Sequence, residues 1–207
     1  GMGIEDTGER EQNMPDDSVV RQAPLSEEYL RKHTIGELKP ATGPIQLVEY
    51  DPEWPRHFER HAAAIQAALG DRVLRIEHVG STSVPGLSAK PIIDIILVVA
   101  NSAVESAYVQ SLEDAGYQLR IREPEWHEHR MFRGSKTAVH LHVYSAGCPE
   151  IDRMLAFRDR LRTSASDRGL YASTKRALAA RSWKDAQNYA DAKTEVIEKI
   201  LSGVPRK

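Results

Sequence analysis

One cysteine, Cys148, stands among the 207 residues, so the chain can form no internal disulfide and no cysteine cluster for zinc or an iron–sulfur centre. Cys148 reads as an inert thiol rather than a nucleophile. Apolar runs fall far short of the ~20 residues of a membrane span, and no basic stretch leads into an apolar one near the N-terminus. Neither membrane insertion nor secretion is expected, and a cytoplasmic location is. Both common nucleotide fingerprints are also missing: no Gly-Lys-Ser/Thr ending of a Walker loop and no Gly-x-Gly-x-x-Gly. Excess charge of one sign is lacking, the net being -2. That balance hides a split, because residues 1–28 hold eight acids against two bases, a net of -6 that leaves +4 on the rest. A mildly basic body suits phosphate-bearing substrates without announcing nucleic acid.

With 41% apolar and 28% charged residues, the chain has the composition of one globular domain with a helical annex. Residues 1–24 are too poor in branched and aromatic side chains to repay ordering and are expected to form a flexible acidic tail. Residues 25–44 read as a linker, with a short helix from Ser26 to Lys32 and Pro40, Gly43 and Pro44 after it. The core is expected from 45 to 148. It opens with a strand from Ile45 to Tyr50, and Asp51 and Pro52 then start a helix carrying the stripe Phe58, Ala62, Ile65, Leu69. Strands follow over Val73–His78 and Pro91–Val99, the second so apolar that it must be covered on both faces. Ser102 and Glu105 form a capping-box pattern for a helix reaching Ala115. Tyr117–Arg122, Glu128–Phe132 and Ala138–Tyr144 read as strands, and 150–163, 167–180 and 182–202 as the helices of a C-terminal annex (149–202) packed on the core. The fold class is therefore α+β: a mixed sheet flanked by helices.

Chemistry concentrates in HVGSTSVPGLSAKPIIDIILVV, His78 to Val99. Gly80 and Gly86 let the backbone pass close to a ligand, and Ser81, Thr82 and Ser83 offer hydroxyls to phosphate oxygens, with Lys90 as a nearby cation. An ordinary Gly/Pro surface loop has the same composition. Asp94 interrupts an apolar strand and is costly there unless it is paired, metal bound or turned into a cleft; a structural hydrogen-bonding role is the alternative. His140 and His142 share one strand face, where they can ligate metal, contact phosphate, move protons or simply hydrogen-bond. The segment Glu123–Phe132 gathers Glu123, Glu125, His127, Glu128, His129 and Arg130 around Trp126, either as a wall of the cleft or as a charged surface hairpin. In the annex, Arg158, Arg162, Lys175, Lys184 and Lys193 form a polar face fit for solvation, a phosphate grip or RNA.

Four segments together resemble the GrpB family of the nucleotidyltransferase superfamily: IQLVEYDPEWPRHFERH (Ile45–His61), IEHVGSTSVPGLSAKPIIDI (Ile76–Ile95), HLHVY (His140–Tyr144) and YADAK (Tyr189–Lys193). The resemblance covers about 36–201. It implies a nucleotidyltransferase-like core, with Gly80 and Ser81 beside nucleotide phosphates and Asp94 as the first magnesium-binding carboxylate. Ile96 stands where the second carboxylate belongs, and His140 and His142 occupy the strand that normally gives a third acid. The implied metal set is thus Asp94, His142 and Glu77, holding Mg2+ or Mn2+, with Zn2+ as a further candidate, and ATP or another nucleotide as substrate. Arg130, Arg158 and Lys175 join the Gly80–Ser83 segment and Lys90 as expected ligand-binding residues. The expected activity is nucleotidyl or related phosphoryl transfer to a small acceptor. The alternatives are an aminoacyl-tRNA-dependent transferase, such as an arginine-containing cyclodipeptide synthase that binds tRNA, and a noncatalytic nucleotide-binding module.

Overall fold

The computed structural model describes residues 26–37, 46–180 and 186–205. The expected tail, the linker residues Pro40, Gly43 and Pro44, and Lys184 lie outside the described residues. The helices are α1 (Glu27–His33), α2 (Trp54–Leu69), α3 (Val109–Asp114), α4 (Pro149–Thr163), α5 (Ala165–Ala179) and α6 (Ala186–Ser202); the strands are β1 (Arg75–Val79), β2 (Ile93–Val99), β3 (Tyr117–Glu123), β4 (His129–Gly134) and β5 (Val139–Ser145). The strands make one mixed sheet in the order β1-β2-β5-β4-β3, with β2 and β5 parallel and the other neighbours antiparallel. Among the described residues no helix is long and apolar enough to cross a membrane.

Every residue of β2 is buried, because the strand is covered on both faces. On the back, Ile93, Ile95, Leu97 and Val99 join Leu141 and Val143 of β5 and Phe132 of β4 under Trp54, Ile65 and Leu69 of α2 and Leu112 of α3. On the front, Val79, Ile96, Val98 and Tyr144 pack against Ile151, Met154 and Leu155 of α4. Val84 and Leu87, from the connection between β1 and β2, enter a separate apolar cluster with Phe157, Leu161, Tyr171, Val196, Ile197 and Ile200 of α4, α5 and α6. The C-terminal helices are thereby anchored to that connection.

Two expected elements differ. Instead of a strand over Ile45–Tyr50, the described part makes one bridge, Val48 with Ala89, its two N–H···O bonds 2.9 and 3.0 Å long. The next pairing position is Pro91, which has no N–H to continue the ladder. The helix expected up to Ala115 is split into a 3-10 turn, Glu105–Ala107, and the short α3. The capping box is not made because both of its side chains are committed elsewhere. Ser102 Oγ donates to the Glu128 carbonyl at 2.8 Å, and Glu105 binds Arg122 at 2.5 Å and Arg130 at 3.1 Å.

The hairpin joining β3 to β4 closes with the His129 N–H donating to the Trp126 carbonyl at 3.1 Å. Both residues between them, His127 (φ 53°) and Glu128 (φ 50°), are left-handed, in positions that ordinarily select Asn and Gly. The Glu128 side chain is exposed. Replacing it by glycine relieves its steric penalty, so Glu128→Gly is expected to raise stability by roughly 0.5–1 kcal/mol after the entropic cost in the unfolded chain. Denaturant unfolding measures this, and an unchanged or lower midpoint contradicts it.

A buried chain of hydrogen bonds fastens the β1–β2 connection. Thr82 Oγ1 donates to the Ile92 carbonyl at 3.1 Å and accepts from His78 Nε2–H at 3.0 Å, while the imidazole stacks on Phe58 with centroids 4.9 Å apart. Burial, reinforced by Arg162 and Arg158, pushes His78 down from 6.5 to about 3. The unfolded chain therefore takes up a proton near pH 6.5 that the folded protein refuses until about 3, and the contribution of His78 to stability is lost as pH falls through that window. His78→Gln, which retains an N–H donor, is expected to flatten this part of the stability–pH curve in thermal unfolding; parallel curves for the two proteins contradict the assignment.

Candidate active site

Asp94 occupies the second position of β2, facing the front of the sheet between Val79 of β1 and His140 of β5. It is 7% exposed. Directly above it the chain leaves β1 through Gly80, whose φ of +73° belongs to glycine. A Cβ at this position would lie 2.5 Å from Asp94 Oδ2. Only a residue without a side chain lets the backbone pass so close to the carboxylate.

Beyond Gly80 the chain tightens into the 3-10 turn Ser81–Ser83, with the Gly80 carbonyl accepting both the Ser83 N–H at 3.1 Å and the Ser83 hydroxyl at 2.5 Å. Three cations from the C-terminal helices close on it. Lys175 Nζ donates to Ser81 Oγ at 2.6 Å, 5.3 Å above the centroid of the Tyr171 ring. Arg162 Nε donates to the Ser83 carbonyl at 2.9 Å, and Arg158 Nη1 to the His78 carbonyl at 3.0 Å. Lys175 is 4% exposed, so its ammonium is withheld from bulk water and pointed at the turn.

On the other side of Asp94, His140 Nδ1 lies 3.7 Å and His142 Nε2 3.9 Å from Asp94 Oδ1. Both separations exceed a direct hydrogen bond. Behind His142 the polar row continues: His142 Nδ1 is 2.9 Å from His129 Nε2, and His129 Nδ1 is 2.7 Å from Glu123 Oε1. The second oxygen of Glu123 accepts the Tyr29 hydroxyl from α1. Trp126 stands edge-on to His129 at 5.3 Å and Tyr144 stacks on it at 5.0 Å, which shuts solvent out of the row.

Asp94, Gly80, Ser81, His140, His142 and Lys175 thus gather around one end of the front face. Thr82 and Ser83 shape the turn, their hydroxyls spent on the Ile92 and Gly80 carbonyls. Lys90 is buried just before β2. Arg130 lies on the opposite face of the sheet, across from Val143, tied to Glu105 and the Glu128 carbonyl. Glu77 is engaged by Arg75 at 2.9 Å and Arg158 at 2.8 Å, and the two guanidiniums hold its carboxyl below its ordinary value against the opposing effect of burial. Among the described residues of the polar face expected of the annex, Lys175 and Lys193 are buried, Arg158 is ion-paired and Arg162 is bonded to the Ser83 carbonyl, so these four do not form a set of exposed cations for RNA. Burial raises the Cys148 thiol, in keeping with an inert side chain.

The donors do not fit a magnesium centre. Ile96 is buried and apolar, Glu77 is bound to arginines, and one carboxylate with two imidazoles is a poor set for an ion that demands oxygen ligands. Among the described residues no group of three or more His, Cys, Asp or Glu side chains is arranged to hold a metal ion.

Tyr29 is the member of this site absent from the sequence reading, which places Glu123 and His129 in a segment that walls the cleft or forms a surface hairpin without pairing them with His142. The signal was the alternation of His129 and Met131 on one face of a strand; what it could not show was that this face meets His142, 13 residues on.

The family model described as GrpB protein matches residues 44–203. A UPF0157 protein of Halalkalibacterium halodurans is 56% identical over 178 residues, covering 86% of this chain and 91% of that protein. A second, from Streptomyces coelicolor, is 48% identical over 158 residues, 76% of this chain and 83% of its own. The crystal structure of the conserved protein GrpB from Enterococcus faecalis superposes with a TM-score of 0.65 at 31% identity, covering 76% of this chain and 98% of that one. A family match over nearly the whole described core, with relatives this similar along most of their own lengths, makes the chain a member of the GrpB (UPF0157) family.

Proposed function

We propose that the protein is a nucleotidyl or related phosphoryl transferase that holds the phosphates of ATP or another nucleotide at the Gly80–Ser83 turn and passes the transferred group to a small acceptor beside Asp94. The observation that carries this reading is the Lys175 ammonium, buried and bonded to Ser81 Oγ on a turn whose backbone touches the Asp94 carboxylate. A buried cation and a hydroxyl side by side recognise a phosphate oxygen at little further desolvation cost. An acceptor hydroxyl near Asp94 and His142 would lose its proton to one of them as its oxygen attacks phosphorus and the bond to the leaving group breaks, releasing pyrophosphate in nucleotidyl transfer or the nucleoside diphosphate in phosphoryl transfer. The superfamily implied by the sequence resemblance supports the same chemistry. Ile96 in place of a second carboxylate favours one other reading, a noncatalytic nucleotide-binding module.

Calorimetry with the four ribonucleoside triphosphates, each with and without magnesium or manganese, tests the proposal. Binding of at least one is expected. Lys175→Met should weaken it by roughly 10–100-fold, the worth of a hydrogen bond to a charged group, and Ser81→Ala by less. Phosphorus NMR of the same mixtures then reads turnover. Absence of binding to all of them overturns the proposal, and binding without turnover across an acceptor screen replaces it with the noncatalytic module.

A further inference from the structure

The strand register that brings His140 beside Asp94 continues away from the Gly80–Ser83 turn. Asp94 of β2 is paired with His140 of β5, His140 with Arg133 of β4, and Arg133 with Gln118 of β3, so all four stand on the front face. Neighbouring strands lie about 4.8 Å apart, which sets the Arg133 backbone two spacings, about 10 Å, from that of Asp94. In β3 the register shifts between Leu119 and Ile121, and Arg120 is the extra residue of the bulge. Arg120 comes close enough to act on Arg133. Burial, reinforced by the Arg120 charge, pulls Arg133 down to about 10, so it remains a cation at neutral pH. Both side chains are half-buried, and Gln118 beside them is exposed. Arg120 donates from Nη2 to the Glu37 carbonyl at 3.1 Å, and no carboxylate among the described residues pairs with its guanidinium. Glu123, the acid of β3, lies at the far end of that strand against His129 and Tyr29.

We infer that Arg120 and Arg133 form a binding site for an oxyanion, a carboxylate or phosphate carried by the acceptor substrate, on the side of Asp94 opposite the Gly80–Ser83 turn. Two guanidiniums held together in a half-buried place repel each other and lose hydration, and an oxyanion set between them offsets both costs. Each also presents parallel N–H donors that match a pair of oxygens. The front face is then divided about its carboxylate. Ser81 and Lys175 stand at the turn that follows β1, the arginines on β4 and β3, and Asp94 and His140 lie between these two groups. An acceptor whose hydroxyl reaches Asp94 while its charge rests on Arg133 is a short molecule with the hydroxyl at one end and the negative group at the other. That role as acceptor site rests on the proposed function, whereas oxyanion binding by the two arginines does not.

The Nε atoms of both arginines are buried, which slows exchange of their hydrogens with water and keeps their Nε–H signals visible in proton–nitrogen NMR spectra. Both signals are assigned through the backbone of the wild-type chain. Inorganic phosphate and succinate are titrated separately, against sodium chloride at matched ionic strength. Saturable shifts of both signals are expected with at least one of the two anions, and which anion acts tells a phosphate-bearing acceptor from a carboxylate-bearing one. Arg120→Met should weaken that binding by roughly 10-fold or more, read on the remaining Arg133 signal, as expected for losing a charged hydrogen-bonding partner. Lys175→Met, which weakens nucleotide binding, should leave the arginine shifts in place. The wild-type titration decides even if a variant fails to fold: signals that stay still, or that move equally in chloride, overturn the inference. Nucleotide binding by a chain whose arginines do not respond defeats this site and leaves the proposed transfer standing. Responsive arginines in a chain that binds no nucleotide leave the oxyanion site standing and defeat its assignment to an acceptor.

Discussion

A carboxylate inside a fully buried strand costs several kcal/mol unless polar groups surround it, and the front of this sheet is organised around answering Asp94. Gly80 lets the backbone pass against Oδ2, and the parallel neighbour β5 sets His140 and His142 beside Oδ1. Imidazoles buried there need partners in turn, which His129 and Glu123 supply from the next two strands. The back of the same strands carries Ile93, Ile95, Leu97 and Val99 into an apolar core. One strand thus joins a core that holds the fold to a polar row that only a specific set of neighbours makes tolerable.

The C-terminal helices complete the site. Arg158, Arg162 and Lys175 reach three acceptors on and next to one turn, the His78 carbonyl, the Ser83 carbonyl and Ser81 Oγ. The apolar packing of Val84 and Leu87 against Phe157, Leu161 and Tyr171 holds the two parts together at the same place. Since these bonds are charge-assisted and largely removed from water, the geometry of the turn depends on helices some 80–95 residues further along the chain.

The sheet strands were legible because each carries its own pattern: an unbroken branched run in β2, and alternation in β5 that put His140 and His142 on one face. Pairing was less legible. Pro91 ends the Val48 bridge from the partner side, which the apolar pattern of 45–50 does not reveal. Ser102 and Glu105 have the spacing of a capping box, yet a carbonyl at 128 and guanidiniums at 122 and 130 compete for them successfully. In the site, Gly80, Ser81 and Asp94 could be read from local composition. That His129 and Arg130 point to opposite faces follows from strand alternation, but which of them meets His142 depends on the pairing of β4 with β5, which no local periodicity encodes.

The proposed chemistry requires the Gly80–Ser83 turn, with Lys175 behind it, to be a phosphate site next to Asp94. A crystal structure determined after soaking in ATP or a slowly hydrolysed analogue tests it most directly. Phosphate density is expected within hydrogen-bonding distance, about 2.7–3.1 Å, of Ser81 Oγ and Lys175 Nζ. Phosphates bound elsewhere on the protein, with the Lys175–Ser81 bond and the turn unaltered, would contradict it.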